Sequence, residues 1–431
     1  MNHKIFKNAS WIIATRIVQS VFNLIITMMT ARYLGPSNFG SINYAASVVA
    51  FVTPLVHLGL TSIAVQELVN KPEEEGVILG TSLFYSFISS ILAFIGVISF
   101  VLIANSGETE TIIVCILYSL VLFVTSFDVL RYWFQSKLLS KYISLVSLFA
   151  FIITSIYKAF LLITGKSIYW FALSNLIDYL LIAILSVVLY KKLGGNSFKI
   201  SFNKFKLMLN KSKYYIISEL MVVIFAQTDK IMLKLMIDES ATGFYSAAVT
   251  CSGITAFVFA ALIDSFRPVI FESKKSSPQS FYNNMCRLYS IIIYFSLIQC
   301  ILITIFSKYI VLILYGAEFL PTVNALRIVA WYTTFSYLGS VRNIWILAEN
   351  KQHNIWKIDL SGAIANVILN FLLIPRFGIY GAAMASLITQ IFTNVIVVAM
   401  IKEVRFNIKL MYHSLSPKWI FGLIQGFVLK K

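Results

Sequence analysis

The sequence predicts an all-α integral membrane protein, with about twelve transmembrane helices in two six-helix bundles. Three observations carry that prediction. Of the 431 residues, 59% are hydrophobic and only 12% are charged. The mean hydropathy is +0.83. Apolar runs long enough to cross a bilayer follow one another along nearly the whole chain. A soluble domain carries about 25% charged residues, and a spanning helix needs roughly 20 apolar ones. The length therefore fits a dozen helices in one body better than two or three soluble domains.

In chain order the spans are 11–31, 40–66, 78–103, 111–133, 142–164, 168–190, 213–236, 242–270, 285–306, 322–348, 357–375 and 380–402. The first run is too long for the apolar part of a signal peptide, contains Arg16 and lacks a small-x-small exit, so it is expected to remain as a span. Short connections at 32–39, 104–110, 165–167, 237–241 and 376–379 make antiparallel neighbours. The longest outer connection, 307–321, includes an apolar stretch expected to extend a helix or turn at the interface.

Orientation follows from Lys and Arg. With the N-terminus inside, 24 of the 35 basic residues fall in inner loops and tails, 4 in outer loops and the remaining 7 inside spans. Cytoplasmic loops hold the basic excess, so both termini are expected in the cytoplasm. The net charge of +17 is then topology plus affinity for anionic phospholipids, and no nucleic-acid partner is expected.

Two pairs of segments reveal an internal repeat. GSINYAA at 40–46 matches GFYSAAV at 243–249, and IYWFALSNLI at 168–177 matches IYGAAMASLI at 379–388. Both offsets map spans one to six onto seven to twelve, so the halves share one orientation. The expected organisation is an N-terminal bundle at 1–190, a cytoplasmic basic connector at 191–212, a C-terminal bundle at 213–403 and a cytoplasmic tail at 404–431. In the tail, 415–431 is too short to span and is expected to lie on the surface as an interfacial helix.

The chain carries no P-loop, zinc-ligand spacing, nucleophile elbow or dinucleotide glycine pattern, and its four histidines are dispersed. Its four cysteines sit in or beside apolar runs and are expected to be buried thiols. No cofactor or metal is implied. Polar residues instead recur at helical spacing inside spans. They include Arg16, Gln19, Asn23 and Thr27 in span one, and Asn43, Ser47 and His57 in span two. Glu219, Gln227, Lys230 and Lys234 line one face of span seven, with Asp229 off that stripe. Spans eleven and twelve contribute Asp359, Asn366, Asn370, Ser386, Gln390 and Asn394. A polar face exposed to lipid is costly, so such stripes face the bundle interior or water. Any single one is explained by helix–helix hydrogen bonding; several from both halves point to a shared hydrated central cavity.

The seven intramembrane cations are Arg16, Lys158, Lys230, Lys234, Arg267, Arg327 and Arg342, against the acids Asp128, Asp178, Glu219, Asp229 and Asp264. Asp128 with Arg131 and Asp264 with Arg267 have the spacing of structural pairs. Asp178 lies near the middle of span six, and Lys158, one hairpin away, is its expected neighbour. The positive excess suits an anionic substrate.

ARYLGPSNFG at 31–40 and VHLGL at 56–60 resemble the start of bacterial polysaccharide transporters of the O-antigen flippase type. QTDK at 227–230 with GFYSAA at 243–248 is similar to that family's seventh span, and LNFLLIPRFGIYGAA at 369–383 to its C-terminal segment. The resemblance implies the fold of the multidrug/oligosaccharidyl-lipid/polysaccharide exporter superfamily. It implies a substrate too, an undecaprenyl-pyrophosphate-linked oligosaccharide of lipopolysaccharide or related biosynthesis, flipped across the bacterial inner membrane by alternating access. A polysaccharide polymerase and a chain-length regulator are the protein partners it suggests. Arg16, Lys158 and Arg267, with Lys230 and Lys234, are the expected cationic lining, and Asp178, Glu219 and Asp229 the ion-coupling candidates. SFRP at 265–268 departs from the family by placing an arginine before the proline. The alternatives are a small-molecule antiporter, disfavoured by the cationic interior, and a polymerase or ligase, disfavoured by the short outer loops.

Overall fold

The computed structural model describes residues 3–419, with side chains described there except at 3–18, 21 and 62. Thirteen helical elements follow one another: α1 (His3–His57), α2 (Leu60–Asn70), α3 (Pro72–Ala104), α4 (Thr109–Ser136), α5 (Ser140–Ile163) and α6 (Ile168–Lys192). After a connector come α7 (Phe202–Met236), α8 (Glu239–Ser276), α9 (Pro278–Leu314), α10 (Thr322–Ala348), α11 (Gln352–Phe377), α12 (Ile379–Met400) and α13 (Phe406–Ser414). Among the described residues there is no strand.

Nine of these segments are long and apolar enough to cross a membrane. The expected dozen is recovered from three facts. α1 contains two predicted spans, bent where Gly35 adopts φ 71° before Pro36. α7 and α10 occupy the seventh and tenth positions but carry too many polar and charged residues to count by composition. Many large apolar side chains are exposed, among them Leu92 at 66% and Ile163 at 86%. Such surface suits a hydrocarbon surround and not water. Buried serines and threonines return hydrogen bonds to carbonyls three or four residues back, as Ser119, Thr125 and Thr389 do.

The chain forms two compact units, Met1–Gly243 and Phe244–Lys431. α7 packs against α1, α2 and α3, so the first unit runs through the seventh helix. Its apolar core has one cluster around Tyr44, Leu122 and Phe171 and another around Leu79, Trp133 and Tyr190. In the second unit the core gathers around Met285, Tyr289, Val341 and Ile358. The repeat glycines have a packing role inside the first unit. A Cβ on Gly40 would lie 1.8 Å from the Glu239 carbonyl oxygen, and one on Gly243 2.1 Å from that of Pro36. Only a missing side chain lets α1 and α8 approach so closely.

The expected basic connector, 191–212, folds as the end of α6, a short link and the first turns of α7, and it docks on the first unit. The Lys199 amide donates to the Gly76 carbonyl at 3.0 Å and the Ser201 amide to Thr81 Oγ1 at 3.0 Å. Phe198 stacks on Tyr190 and Phe205 on Tyr85, while Ile200, Phe202 and Leu207 stay exposed. Lys204 is buried and bonded to Glu67 at 2.8 Å and Glu74 at 2.5 Å, with Lys211 on Glu67 at 2.7 Å. Burial alone would raise the Glu67 pKa, but hydrogen bonds from Lys204 and Lys211 hold it below the usual carboxylate value. The interfacial helix expected at 415–431 lies mostly outside the described residues; within them α13 precedes it and packs on α9.

Candidate functional site

In the first unit, polar side chains from the end of α1 and from α2, α4, α5, α6 and α7 are linked by hydrogen bonds and charge. Asp178 on α6 is half-buried and accepts a hydrogen bond from Thr154 Oγ1 of α5 at 3.3 Å. Lys158, one turn further along α5, is half-buried and an electrostatic neighbour of Asp178. It makes no direct hydrogen bond or ion pair among the described residues. Sequence reasoning thus placed these two groups together, and the structure separates them by more than a direct contact. A cation left without a partner inside a membrane unit retains its attraction for an incoming anion, because the local dielectric screens weakly.

From Asp178 a chain of neighbours leads through Arg131 to residues of α1, α2 and α7. Arg131 Nε lies 3.2 Å from Asp128, the pair expected from their spacing, and Arg131 is also within electrostatic reach of Asp178. His57, where α1 breaks at Leu58 and Gly59, feels both Asp128 and Arg131. The Tyr132 and Thr61 hydroxyls share a hydrogen bond at 3.0 Å, and Tyr132 is the electrostatic neighbour of half-buried Glu219 on α7. Sequence spacing could not have grouped them. They come from four helices, and only the antiparallel order brings their ends together.

The stripe on α7 divides. Gln227 Oε1 accepts from Ser47 of α1 at 3.0 Å and from Lys230 at 3.3 Å. Asp229 is buried and beside Lys230. Lys234 departs from the expected cationic lining. It is 4% exposed and bonded to Glu108 at 2.6 Å and Glu239 at 2.8 Å. Glu108 is further held by Asn105 at 2.9 Å, and Asn105 by Tyr44 at 2.8 Å. Two carboxylates already satisfy its charge, so Lys234 locks the end of α7 to the starts of α4 and α8.

In the second unit Arg267 is exposed and paired with Asp264 at 3.0 Å, as its spacing suggested. Arg16 lies within α1, but its side chain is outside those described. The polar faces of α11 and α12 meet a buried residue that was not singled out for the site. Arg342, 3% exposed, donates to Asn394 at 2.9 Å.

A family model described as polysaccharide biosynthesis protein matches residues 5–274. A 140-residue stretch is 34% identical to an uncharacterised membrane protein of Methanocaldococcus jannaschii, covering 32% of this chain and 26% of that one. The chain thus matches about a quarter of that relative's length. The fold is similar to the lipid II flippase MurJ in an inward closed conformation, with TM-score 0.75, 15% identity, and 95% of this chain and 92% of that one covered. It is also similar to a multidrug resistance MATE family transporter of the MOP superfamily in an inward-facing conformation, with TM-score 0.70, 13% identity, and coverage of 91% and 95%. At such identities the likeness concerns fold alone, a fold shared by flippases and drug transporters. With the apolar helices it makes this a multi-pass membrane protein of transporter fold, and the match over 5–274 places the chain in the polysaccharide biosynthesis protein family.

Proposed function

We propose that this protein is a flippase. Its substrate would be an undecaprenyl-pyrophosphate-linked oligosaccharide, the repeat unit of an O-antigen or related surface polysaccharide, moved from inner to outer leaflet by alternating access. The observation that carries the reading is Lys158, a half-buried cation with no direct partner among the described residues, inside a membrane unit of a polysaccharide biosynthesis protein. Lysine binds phosphate as a point charge, and the pyrophosphate is the part of the substrate that every such lipid carrier shares. Arg131 adds positive character within electrostatic reach of Asp178, and Arg16, Lys230 and Arg267 complete the proposed cationic set. Asp178 is the first candidate for ion coupling, with Glu219 and Asp229 after it.

The same proposal covers a bacterial inner-membrane location with both termini cytoplasmic. It also covers the six-plus-six repeat about the 191–212 connector, a polymerase and chain-length regulator as partners, and transport without covalent chemistry. The antiporter alternative has the same fold, so side chains must decide. A carrier of cationic drugs gains nothing from an unpaired lysine in its interior.

The test is reconstitution of the purified chain in vesicles holding a polyprenyl-pyrophosphate oligosaccharide on one face. Appearance of the sugar on the other face, read by an added glycosidase, is expected above the protein-free rate. Equal rates with and without protein would contradict the proposal.

A further inference from the structure

The second unit closes its polar helix faces on Arg342 of α10. Nη1 donates to Asn394 Oδ1 at 2.9 Å; Nε and Nη2 donate to Asn343 Oδ1 at 3.3 and 3.0 Å. Both partners are neutral amides. Asp359 on α11 is half-buried, within electrostatic reach of the guanidinium and not in direct contact with it. Amide oxygens solvate a buried guanidinium less completely than a carboxylate does, so an attraction across α10 and α11 is left unmet.

Asn394 is not on a regular helix. Phe392–Val397 is a π-helical stretch of α12, a form that is rare and recurs at functional sites. The neighbouring helices are shaped to it. A Cβ on Gly339 of α10 would fall 2.4 Å from Asn394 Oδ1, and one on Gly362 of α11 2.8 Å from Thr393 Oγ1. The Asn394 amide nitrogen donates to the Gln390 carbonyl at 3.0 Å and to Gln390 Oε1 at 2.8 Å. Its oxygen is thereby left for Arg342.

We propose that Arg342 is an internal cation with two positions, held by Asn394 of the π stretch in the arrangement seen and drawn to Asp359 when that carboxylate is ionised. Proton binding at Asp359 then sets the conformation of α12. A proton taken from water neutralises the carboxylate and releases Arg342 to Asn394; its loss draws Arg342 back. The charged and titratable groups facing the pair are few. α9 supplies Tyr289, whose hydroxyl donates to Asn407 at 3.0 Å, and Cys286 beside it. The α12 face supplies the neutral Gln390, Thr393 and Asn394. Nearer the start of α11, His353 and Lys357 are engaged by Glu403. The use of this device, coupling transport to protons, rests on the flippase reading; the device itself does not.

The test uses the full chain in lipid nanodiscs, with a spin label at an Ile396→Cys site on the outer face of α12 and infrared spectra recorded between acid and neutral pH. The wild-type background should show a protonated-carboxyl band at acid pH that Asp359→Asn removes, and a pH-dependent change in label mobility that the same variant abolishes. Arg342→Lys keeps the charge but cannot span both amides, so it should shift the midpoint of the mobility change. A wild-type spectrum independent of pH, or a mobility change surviving in Asp359→Asn, would overturn the proposal. Intact pH switching without lipid translocation would remove the flippase reading and leave the switch standing.

Discussion

The two units solve the same problem, polar groups inside a membrane, in opposite ways. In the first, Lys158 and Asp178 are half-buried neighbours with no direct bond between them, and Arg131 lies within electrostatic reach of Asp178. In the second, Arg342 is 3% exposed, with amides on its nitrogens and glycines cut to fit them. A charge spent on internal bonds holds the architecture together; a charge left over is available to a ligand. The contrast explains why seven intramembrane cations cannot be read as one cationic lining. Lys234, with its two carboxylates, belongs to the spent class.

Substitutions separate the classes. Arg342→Ala should have the largest effect on stability, on the order of 3 kcal/mol, because it strands buried polar partners; loss of folded protein on heating in detergent measures it. Gly40→Ala comes next, at about 1–3 kcal/mol for overpacking, since its Cβ would meet the Glu239 carbonyl. Lys234→Met should cost about 1–2 kcal/mol, discounted because Glu108 and Glu239 keep part of their hydration. Its abundance should fall, and transport per folded molecule should not. Normal abundance with lost transport would move Lys234 into the class of charges left for a ligand.

The smallest effect is one of pH. The Glu67 carboxyl is held below its ordinary value of 4.5, so the stability it supplies is complete above that value and is lost as pH falls through the lowered one. Lys204 is shifted upward: burial opposes the shift, and the hydrogen bonds it donates to Glu67 and Glu74 prevail. Its contribution is therefore lost only as pH rises past the ordinary lysine value of 10.5. Proteolysis of the connector should accelerate in acid, and Glu67→Gln should be fast already at neutral pH.

The helices and their order were legible in the sequence because the bilayer imposes length and apolarity on each span, while the transporter fold was implied by the family resemblance. The GSINYAA and GFYSAAV repeat was legible too, and its reason is steric: Gly40 and Gly243 are the close approach between α1 and α8. The site was legible by halves. A stripe shows which residues share a helix face, not which face a neighbouring helix covers. The α7 stripe therefore read as one lining, although Gln227 is held by Ser47 and Lys234 is locked at a helix end. His57 and Arg131 were visible one by one, in a stripe and in a pair, but their grouping depends on where helices end. The π stretch at Phe392–Val397 has no sequence signature beyond its asparagine and threonine.

The central claim is that Lys158 keeps its charge for the substrate. Translocation of a polyprenyl-pyrophosphate oligosaccharide in vesicles should be measured for the wild type and for Lys158→Arg, Lys158→Gln and Lys158→Ala at matched amounts of folded protein. Losing one charge-assisted contact of about 1.5–3 kcal/mol corresponds to a rate lower by about 10- to 100-fold. The Gln and Ala variants should fall by that much, and Arg should stay within a few-fold of wild type. Wild-type rates in Lys158→Gln would contradict the account.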